Sequence, residues 1–276
     1  MDASFKAEKG HKKASAKVLS MASYCVTESE KTFMILRQDP FKRYVVFKWV
    51  LTLGMGIATY FIINMLNRTK IKGTEHVEEL PNKNVLFASN HQTYFVDVIA
   101  IYHAFNAIKF KLRNTLSNPL YLFQPQLNHY YVAAEETMKV NWITRLFAYF
   151  GAVHVRRTWR DKDRSVRRPV RTTDIDSIGK ALEDGWVITF PQGTTKKNAP
   201  GRKGVAHIIK QFQPIIIPVV VDGFNKAFRK KGIEPRRIGK KLKITFKAPL
   251  SINYDDKPEI IIKHIMEAIE QTSKAS

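Results

Sequence analysis

The feature that most constrains the fold of this chain is an uncharged run of 19 residues, from Trp49 to Asn67. As a helix at 1.5 Å per residue, this run would be about 29 Å long, close to the roughly 30 Å hydrocarbon core of a bilayer. Core helices of soluble proteins are usually shorter, about 11–12 residues. The run therefore predicts a helix that inserts into a membrane, either across it or within one leaflet. A helix buried in a soluble core is the alternative.

The residues around this run extend the prediction. Asp39 and Pro40 are suited to an N-cap and a first helical turn, so the helix could begin there. Basic residues flank both ends of the run, which leaves its orientation undecided under the positive-inside rule. The first 20 residues are polar and lysine-rich, as expected of a segment that lies against anionic headgroups. We predict a basic N-terminal region over 1–38 and a membrane-associated helix over 39–72.

Charge and composition narrow the possible classes of function. With 46 Lys and Arg against 24 Asp and Glu, the formal net charge is +22, so anionic partners are expected. A hydrophobic fraction of 44% excludes a mainly disordered chain. Cys25 is the single cysteine, which excludes an internal disulfide framework and a thiolate-rich metal site. No nucleic-acid-reading element is recognisable, so we expect lipid headgroups or an acidic carrier protein and no nucleic acid.

From residue 73 onward, short β-branched runs alternate with segments of helical period. This alternation predicts one α/β domain over residues 73–276 with a largely parallel central sheet. The predicted strands are Val85–Ser89, Ile108–Leu112, Ala152–Arg156, Trp186–Phe190, Ile215–Val221 and Leu242–Lys247. The predicted helices lie near residues 97–105, 141–150, 173–184, 203–212 and 257–272.

A polar segment after the first predicted strand contains His91 and Asp97. Sites in α/β sheets form outside the carboxyl ends of strands, which is where this segment lies. In one regular helix Asp97 would lie about 240° around the axis from His91 and the two side chains would point apart, so a contact requires a turn, with Asp97 at the start of the next helix. In contact, Asp97 would accept the Nδ1–H of His91 and leave Nε2 to take a proton from a hydroxyl. Alternatively, His91 is a turn residue and Asp97 only caps the helix.

Two basic segments also follow predicted strands. The one after Phe190 combines glycines with a helix start near residue 203, and can therefore present backbone N–H groups to a phosphate. Its glycines are Gly193, Gly201 and Gly204, and its cations are Lys196, Lys197, Arg202 and Lys203. Arg156 and Arg157 end another strand, where arginines can hold a phosphate through paired hydrogen bonds. Both segments also have the composition of solvated loops, and this alternative stays open.

Four segments, taken in order along the chain, resemble the sequence blocks of the lysophospholipid acyltransferases of the PlsC type. They are Asn90-His91 with Asp97, Gly151 to Arg157, Phe190 to Thr195, and Ile215 to Val220, and the resemblance covers roughly residues 70–250. It implies a single glycerolipid-acyltransferase-like α/β domain behind a membrane-anchoring helix. It also implies transfer of an acyl chain from acyl-CoA or acyl carrier protein to the free hydroxyl of a lysophospholipid, converting 1-acylglycerol-3-phosphate to phosphatidic acid.

The resemblance also implies roles for individual residues. His91 would be the general base and Asp97 its orienter, with the acyl donor as a substrate and no cofactor. Backbone N–H groups near Gly193 and Thr194 are expected to contact the oxyanion. The eight histidines include no close pair at metal-ligand spacing, so no metal site is expected. The active site is expected to face the cytoplasm beside the membrane.

The chain departs from the blocks of this family at two places. Five residues separate His91 from Asp97 where the family has four, and the third block has Gln192 for glutamate and Thr195 for arginine. The missing arginine is the one expected to bind the acceptor phosphate, so the predicted acceptor-binding set is wider. It comprises Arg156, Arg157, Gln192, Gly193, Thr194, Thr195, Lys196, Lys197, Arg202 and Lys203. The alternatives are an acyltransferase for a lyso-aminolipid with a carboxylate, or a catalytically silent basic protein that binds membranes.

Overall fold

The computed structural model describes residues 37–138, 142–156, 160–161, 164–165, 171–230 and 232–272. They belong to two compact units, one reaching as far as Lys48 and one beginning at Trp49. Apart from residues 37 and 38, the predicted basic N-terminal region lies outside the described residues.

In the first unit, the side chain of Asp39 closes a turn. Its Oδ1 atom accepts hydrogen bonds from the backbone N–H groups of Phe41 at 2.9 Å and Arg43 at 3.1 Å, and Oδ2 accepts one from Arg43 Nε at 2.6 Å. Lys42 has a φ of 59°, in the left-handed region, which a continuous helix does not contain. Helix α1 (Val45–Tyr60) therefore begins later than the expected start at Asp39, because the aspartate caps this turn instead.

Helix α1 continues into a π-helical turn, Phe61–Met65, to give an apolar segment of 21 residues. By length and composition alone, it is the one helix among the described residues that could cross a membrane, and 22% of its most apolar window is buried within the protein. In the second unit, Thr52, Thr59 and Ile63 form its buried side. The opposite side is apolar and at least half exposed, and consists of Val50, Ile57, Phe61 and Met65. This segment thus differs from a helix of a soluble core, which is buried.

The second unit contains a sheet of seven strands. They are β1 (Arg68–Lys72), β2 (Val85–Ser89), β3 (His129–Ala134), β4 (Ala152–Val155), β7 (Trp186–Thr189), β8 (Ile215–Asp222) and β9 (Lys241–Phe246), while β5 (Arg160–Asp161) and β6 (Arg164–Ser165) form a separate pair. The sheet order is β1-β9-β8-β2-β7-β3-β4, and only the β8–β9 pair is antiparallel. The predicted α/β class with a largely parallel sheet is confirmed.

Seven α-helices follow α1 among the described residues. They are α2 (Val96–Lys109), α3 (Glu135–Met138), α4 (Trp142–Tyr149), α5 (Thr172–Asp184), α6 (Lys203–Phe212), α7 (Phe224–Ala227) and α8 (Pro258–Ala268), with short 3₁₀ turns at Thr74–His76 and Pro119–Phe123. The five predicted helices correspond to α2, α4, α5, α6 and α8. The predicted strand Ile108–Leu112 is wrong, because Ile108 belongs to the last turn of α2. Strand β1 replaces the end of the helix predicted over 39–72, and β3 was not predicted.

Helix α2 is buried from Val96 to Ile108, and His103 in its middle uses both ring nitrogens. Nε2 lies 2.8 Å from Thr59 Oγ1, and Nδ1 lies 2.8 Å from the hydroxyl of Tyr121. Thr59 donates its only hydroxyl hydrogen to Met55 O at 2.7 Å, so it accepts from Nε2–H, and Nδ1 accepts from Tyr121. Burial lowers the pKa of His103 to about 4 and raises that of Tyr121. A neutral histidine thus links the end of α1 to α2.

Strands β2, β7 and β8 lie side by side at the centre of the sheet and begin level. Val85 pairs with Trp186 on one side and with Ile215 on the other. On one face of the sheet, the ring of Phe87 from β2 packs against the rings of Phe105 and Trp186, with centroids 4.5 and 5.1 Å apart. Because the three strands are parallel, the segments that follow them emerge at the same edge of the sheet, where sites in such sheets form.

Candidate active site

His91 and Asp97 are in contact. His91 Nδ1 lies 3.0 Å from Asp97 Oδ2. A carboxylate only accepts hydrogen bonds, so Nδ1 carries the hydrogen and Nε2 presents its lone pair. The Asp97 side chain is fully buried, whereas that of His91 is 13% exposed. The structure thus shows the first of the two alternatives, a contact between the side chains, and His91 keeps part of its ring exposed.

The turn between the two residues accommodates the five intervening positions. Helix α2 begins at Val96, so Asp97 lies in its first turn, as predicted. The Asp97 carboxylate accepts from the backbone N–H groups of Gln92 at 2.5 Å and Thr93 at 3.0 Å. The Thr93 hydroxyl donates to Asp97 Oδ1 at 2.8 Å and accepts from Asp97 N–H at 3.2 Å. One carboxylate therefore closes the turn and orients the imidazole at the same time.

Two amide side chains attach this turn to the end of β8 and to the segment that follows it. Asn90 accepts from Val221 N–H at 2.7 Å and donates to Val221 O at 2.9 Å. Gln92 Oε1 accepts from the backbone N–H groups of Phe224 at 2.9 Å and Asn225 at 3.3 Å. The position of His91 is thus fixed relative to the residues beyond β8.

The residue that follows β7 contacts the same imidazole. Phe190 stacks on His91 with ring centroids 3.9 Å apart and 23° between the ring planes. His91 Nε2 forms no hydrogen bond with any residue in the described part of the chain. The ring is held at its face and at Nδ1, and the nitrogen that would take a proton is open.

Gln192 holds the turn after β7. Its side chain is buried, and Nε2 donates to Ala199 O at 3.0 Å and to Gln271 Oε1 at 3.2 Å. Gln271 Oε1 also accepts from the backbone N–H of Asn198 at 3.1 Å. The Gln192 amide thus connects this turn to the residues after α8, a different role from the predicted contact with the acceptor.

Gly193 and Gly201 serve the local structure of this segment. Gly193 has a φ of 63° and donates its N–H to Phe190 O at 2.8 Å. Of the two expected oxyanion donors, Thr194 N–H is the one without a hydrogen bond to a described residue. A Cβ on Gly201 would lie 2.6 Å from Ile262 Cγ1, so the close approach at this glycine is to α8 and not to an anion.

The four predicted cations of this segment differ in their surroundings. Lys203 forms an ion pair with Glu259 at the start of α8, and this hydrogen bond lowers the pKa of Glu259. Arg202 is partly buried, which lowers the pKa of its guanidinium. Lys196 and Lys197 are exposed.

Arg156 lies at a distance from His91. It follows β4, the third strand from β2, which places it roughly 14 Å to the side at the usual strand spacing. Its backbone N–H donates to Asp174 Oδ2 at 2.9 Å. The neighbouring candidate, Arg157, lies outside the described residues.

A cleft of about 600 Å³ opens beside the His91 segment. Its walls come from the segments that follow the three central strands, and its lining consists of Gln92, Thr195, Asn225, Phe228, Arg229, Lys230 and Arg236. Of the predicted acceptor-binding residues, Thr195 lines this cleft. The three cations of the lining were not predicted, because the strand order that brings them beside His91 cannot be read from the sequence.

The contact between His91 and Asp97 suits proton transfer, and the cations of the cleft suit an anionic group. Among the described residues, no group of three His, Cys, Asp or Glu side chains is placed to hold a metal ion. A second cavity of about 30 Å³, lined by residues such as Met55, Val98 and Tyr102, contains none of the motif residues and has room for about one water molecule.

Comparison with known proteins places the chain in context. Residues 68–222 match the model of a protein family described as Acyltransferase. No curated protein matches the sequence. Among solved structures, the chain is similar to the 1-acyl-sn-glycerophosphate (LPA) acyltransferase PlsC from Thermotoga maritima, with a TM-score of 0.49 and 15% identity. That match covers 82% of this chain and 78% of the other.

Proposed function

This chain belongs to the acyltransferase family, and on that basis we propose that it moves an acyl chain from a thioester to the free hydroxyl of a lysophospholipid at a membrane surface. The observation that carries the proposal is the 3.0 Å contact between His91 Nδ1 and Asp97 Oδ2, with Nε2 open. Gln92, the neighbour of His91, lines a cleft of about 600 Å³, within the size range of about 300–1,000 Å³ that is usual for small-molecule sites.

The proposed reaction uses His91 first as a base and then as an acid. Nε2 takes the proton of the acceptor hydroxyl while the hydroxyl oxygen attacks the thioester carbon, so that a C–O bond forms and the carbonyl oxygen becomes an oxyanion. The C–S bond then breaks, and the imidazolium returns the proton to the leaving thiolate. Asp97 holds the Nδ1 hydrogen and stabilises the imidazolium. Thr194 N–H is our candidate donor to the oxyanion.

The acceptor and the donor are proposed from charge and motif. The four sequence blocks imply 1-acylglycerol-3-phosphate as acceptor, and a cleft lined by three cations suits an anionic headgroup. Acyl-CoA and acyl carrier protein are both anionic and suit a chain of net charge +22. A lyso-aminolipid acceptor and a silent membrane-binding protein are the competing possibilities.

We further propose that α1 lies within one leaflet. Its exposed side carries Ile57 and Phe61, and the neighbouring 3₁₀ turn exposes Leu120 and Phe123. The hydrogen bond from His103 to Thr59 attaches the other side of the helix to α2. A helix bound along one side to its own domain presents the opposite side to acyl chains, as interfacial helices do. This arrangement keeps the active site beside the surface of the membrane. We propose that this surface is the cytoplasmic one.

The test is acyl transfer by the full chain on vesicles that contain phosphatidylglycerol. Lysophosphatidate and a lyso-aminolipid are offered as acceptors, each with acyl-CoA and with acyl carrier protein. We expect lysophosphatidate to be acylated, and His91→Ala to lower the rate by about 100-fold or more, as loss of a general base does. His207→Ala is the matched control, because His207 is exposed on α6.

Each outcome has one meaning. Full activity of the His91→Ala protein would overturn the assigned base. Use of the lyso-aminolipid alone would overturn the phosphate acceptor and keep the reaction class. Vesicle binding without consumption of either thioester would identify the protein as a silent membrane-binding member of the family.

A further inference from the structure

We propose that Arg229, Lys230 and Arg236 form the site that binds the phosphoryl group of a reactant. This inference deepens the proposed function, on which it rests for the identity of the reactants. None of these residues belongs to the four sequence blocks, and all three line the 600 Å³ cleft.

The lining of the cleft is positively charged. Its lining contains three cations and no carboxylate. Among the described residues, no Asp or Glu forms an ion pair with any of the three. Elsewhere in the described part of the chain, cations such as Lys203 and Arg113 are paired with glutamates. A concave site with uncompensated positive charge attracts an anion of its own size, because the walls of a cleft focus the field.

Backbone contacts fix the positions of the residues that carry these cations. Residues 228 and 235 form an antiparallel bridge. Arg236 N–H donates to Ala227 O at 2.7 Å, and Arg229 N–H donates to Glu234 O at 3.1 Å. Phe224 and Phe228 are buried beneath this segment. The backbone of both arginines is therefore fixed. This suits the paired hydrogen bonds that arginine makes to a phosphate.

The same segment is attached to the turn that contains His91. Tyr94 N–H donates to Lys230 O at 2.9 Å, and Gln92 Oε1 accepts from Phe224 N–H at 2.9 Å. A phosphoryl group bound by the arginines would thus be held at a fixed place relative to the imidazole. Fixing a reactant in this way supports the reaction by proximity.

The size of the cleft favours a small ligand over a polymer. Phosphoryl groups occur on both proposed reactants, in the headgroup of a lysophosphatidate acceptor and in the CoA or phosphopantetheine of the donor. Thr195, where the sequence block lacks its arginine, lines the same cleft. The cations beyond β8 can therefore supply the positive charge that is missing at that position.

The test is a binding measurement, so it does not depend on turnover. Glycerol 3-phosphate and CoA are titrated into the full chain, with glycerol and pantetheine as probes that lack the phosphates. We expect Arg229→Gln with Arg236→Gln to weaken binding of at least one phosphate probe by about tenfold or more, as loss of a charged hydrogen bond does. The probe that is affected identifies whether the acceptor or the donor uses the site.

Arg237→Gln is the matched control, because Arg237 is exposed next to Arg236 and does not line the cleft. Unchanged affinity of the double variant for both probes would overturn the inference. An equal loss in Arg237→Gln, or no binding of either probe by the wild type, would overturn it as well. Loss of binding only in the double variant would support it even if no acyl transfer were detected, and equal melting temperatures would show that the variants are folded.

Discussion

Phe190 covers one face of the His91 imidazole, and the two rings come from segments that follow neighbouring strands, β7 and β2. The hydrogen bond to Asp97 holds the same imidazole at its edge. The orientation of the ring therefore depends on two contacts from different parts of the chain. These contacts can be removed one at a time.

The stacking contact makes Phe190 a positioning residue. We expect Phe190→Leu to lower kcat about 3- to 10-fold with little change in KM, because an aromatic pair contributes about 0.5–1.5 kcal/mol. Phe190→Tyr keeps the stack and should restore most of the rate. Steady-state kinetics of both variants test this. A rise in KM at constant kcat would instead indicate that Phe190 contacts a substrate.

The carboxylate contact should have the larger effect. Asp97→Asn removes the charge that stabilises the imidazolium, and we expect kcat to fall by about 100-fold or more. Asp176→Asn, at an exposed position on α5, is the control. Because Asp97 also closes the turn, melting temperatures should be measured with the kinetics. Near-normal activity of Asp97→Asn would show that the contact serves only the fold.

The His91–Asp97 contact was predictable because its determinants are local. A strand end, a turn and a helix start lie within residues 85–97, and the sequence marks each of them. Helix α2 was harder to delimit, since it is buried on every side and lacks a polar face that would reveal its period. For this reason its last turn resembled a strand at Ile108. Strand β1 has no recognisable strand pattern, because only Ile71 in it is both apolar and buried.

The buried histidine of α2 should make stability depend on pH. Burial lowers the pKa of His103 from 6.5 to about 4, so between these values the unfolded chain binds a proton that the folded chain does not. Stability is then complete above pH 6.5 and falls as the pH drops towards 4, by about 3 kcal/mol in all. Denaturant unfolding at a series of pH values measures this dependence.

Two variants isolate the contribution of this histidine. His103→Gln keeps a donor for Thr59 but does not titrate, so its stability should fall less steeply between pH 6.5 and 4. His207→Gln, at an exposed histidine, should retain the dependence of the wild type. An unchanged slope in His103→Gln would mean that other groups cause the loss of stability in acid.

The cations of the cleft could not be assigned to the site from the sequence. Arg229 and Arg236 lie more than a hundred residues after His91, and they approach it only because β8 pairs with β2 in the sheet. The order of strands depends on long-range packing that no local pattern encodes. The sequence blocks instead predicted Arg156 as an acceptor-binding residue, and the same sheet places it at its far edge.

The exposed side of α1 should govern binding to membranes. Ile57→Lys with Phe61→Lys should reduce flotation with vesicles, because each half-exposed side chain contributes on the order of 1 kcal/mol when it enters the bilayer. The melting temperature should change little, since neither side chain is buried. Ile238→Lys, at a position 63% exposed outside α1, is the control. Equal flotation of all variants would exclude this face as the membrane contact.

Restoring the glutamate of the third block should destabilise this protein. Gln192 donates from its buried amide to Ala199 O and Gln271 Oε1, and an ionised glutamate would place a charge against the same two oxygens. We expect Gln192→Glu to lower the free energy of unfolding by about 1–3 kcal/mol at pH 8. The loss should be smaller at pH 5, because a protonated glutamate can donate one of the two hydrogen bonds. Gln211→Glu, exposed on α6, should melt like the wild type at both pH values. If Gln192→Glu does so too, the turn after β7 does not depend on the amide, and the glutamine is a neutral replacement.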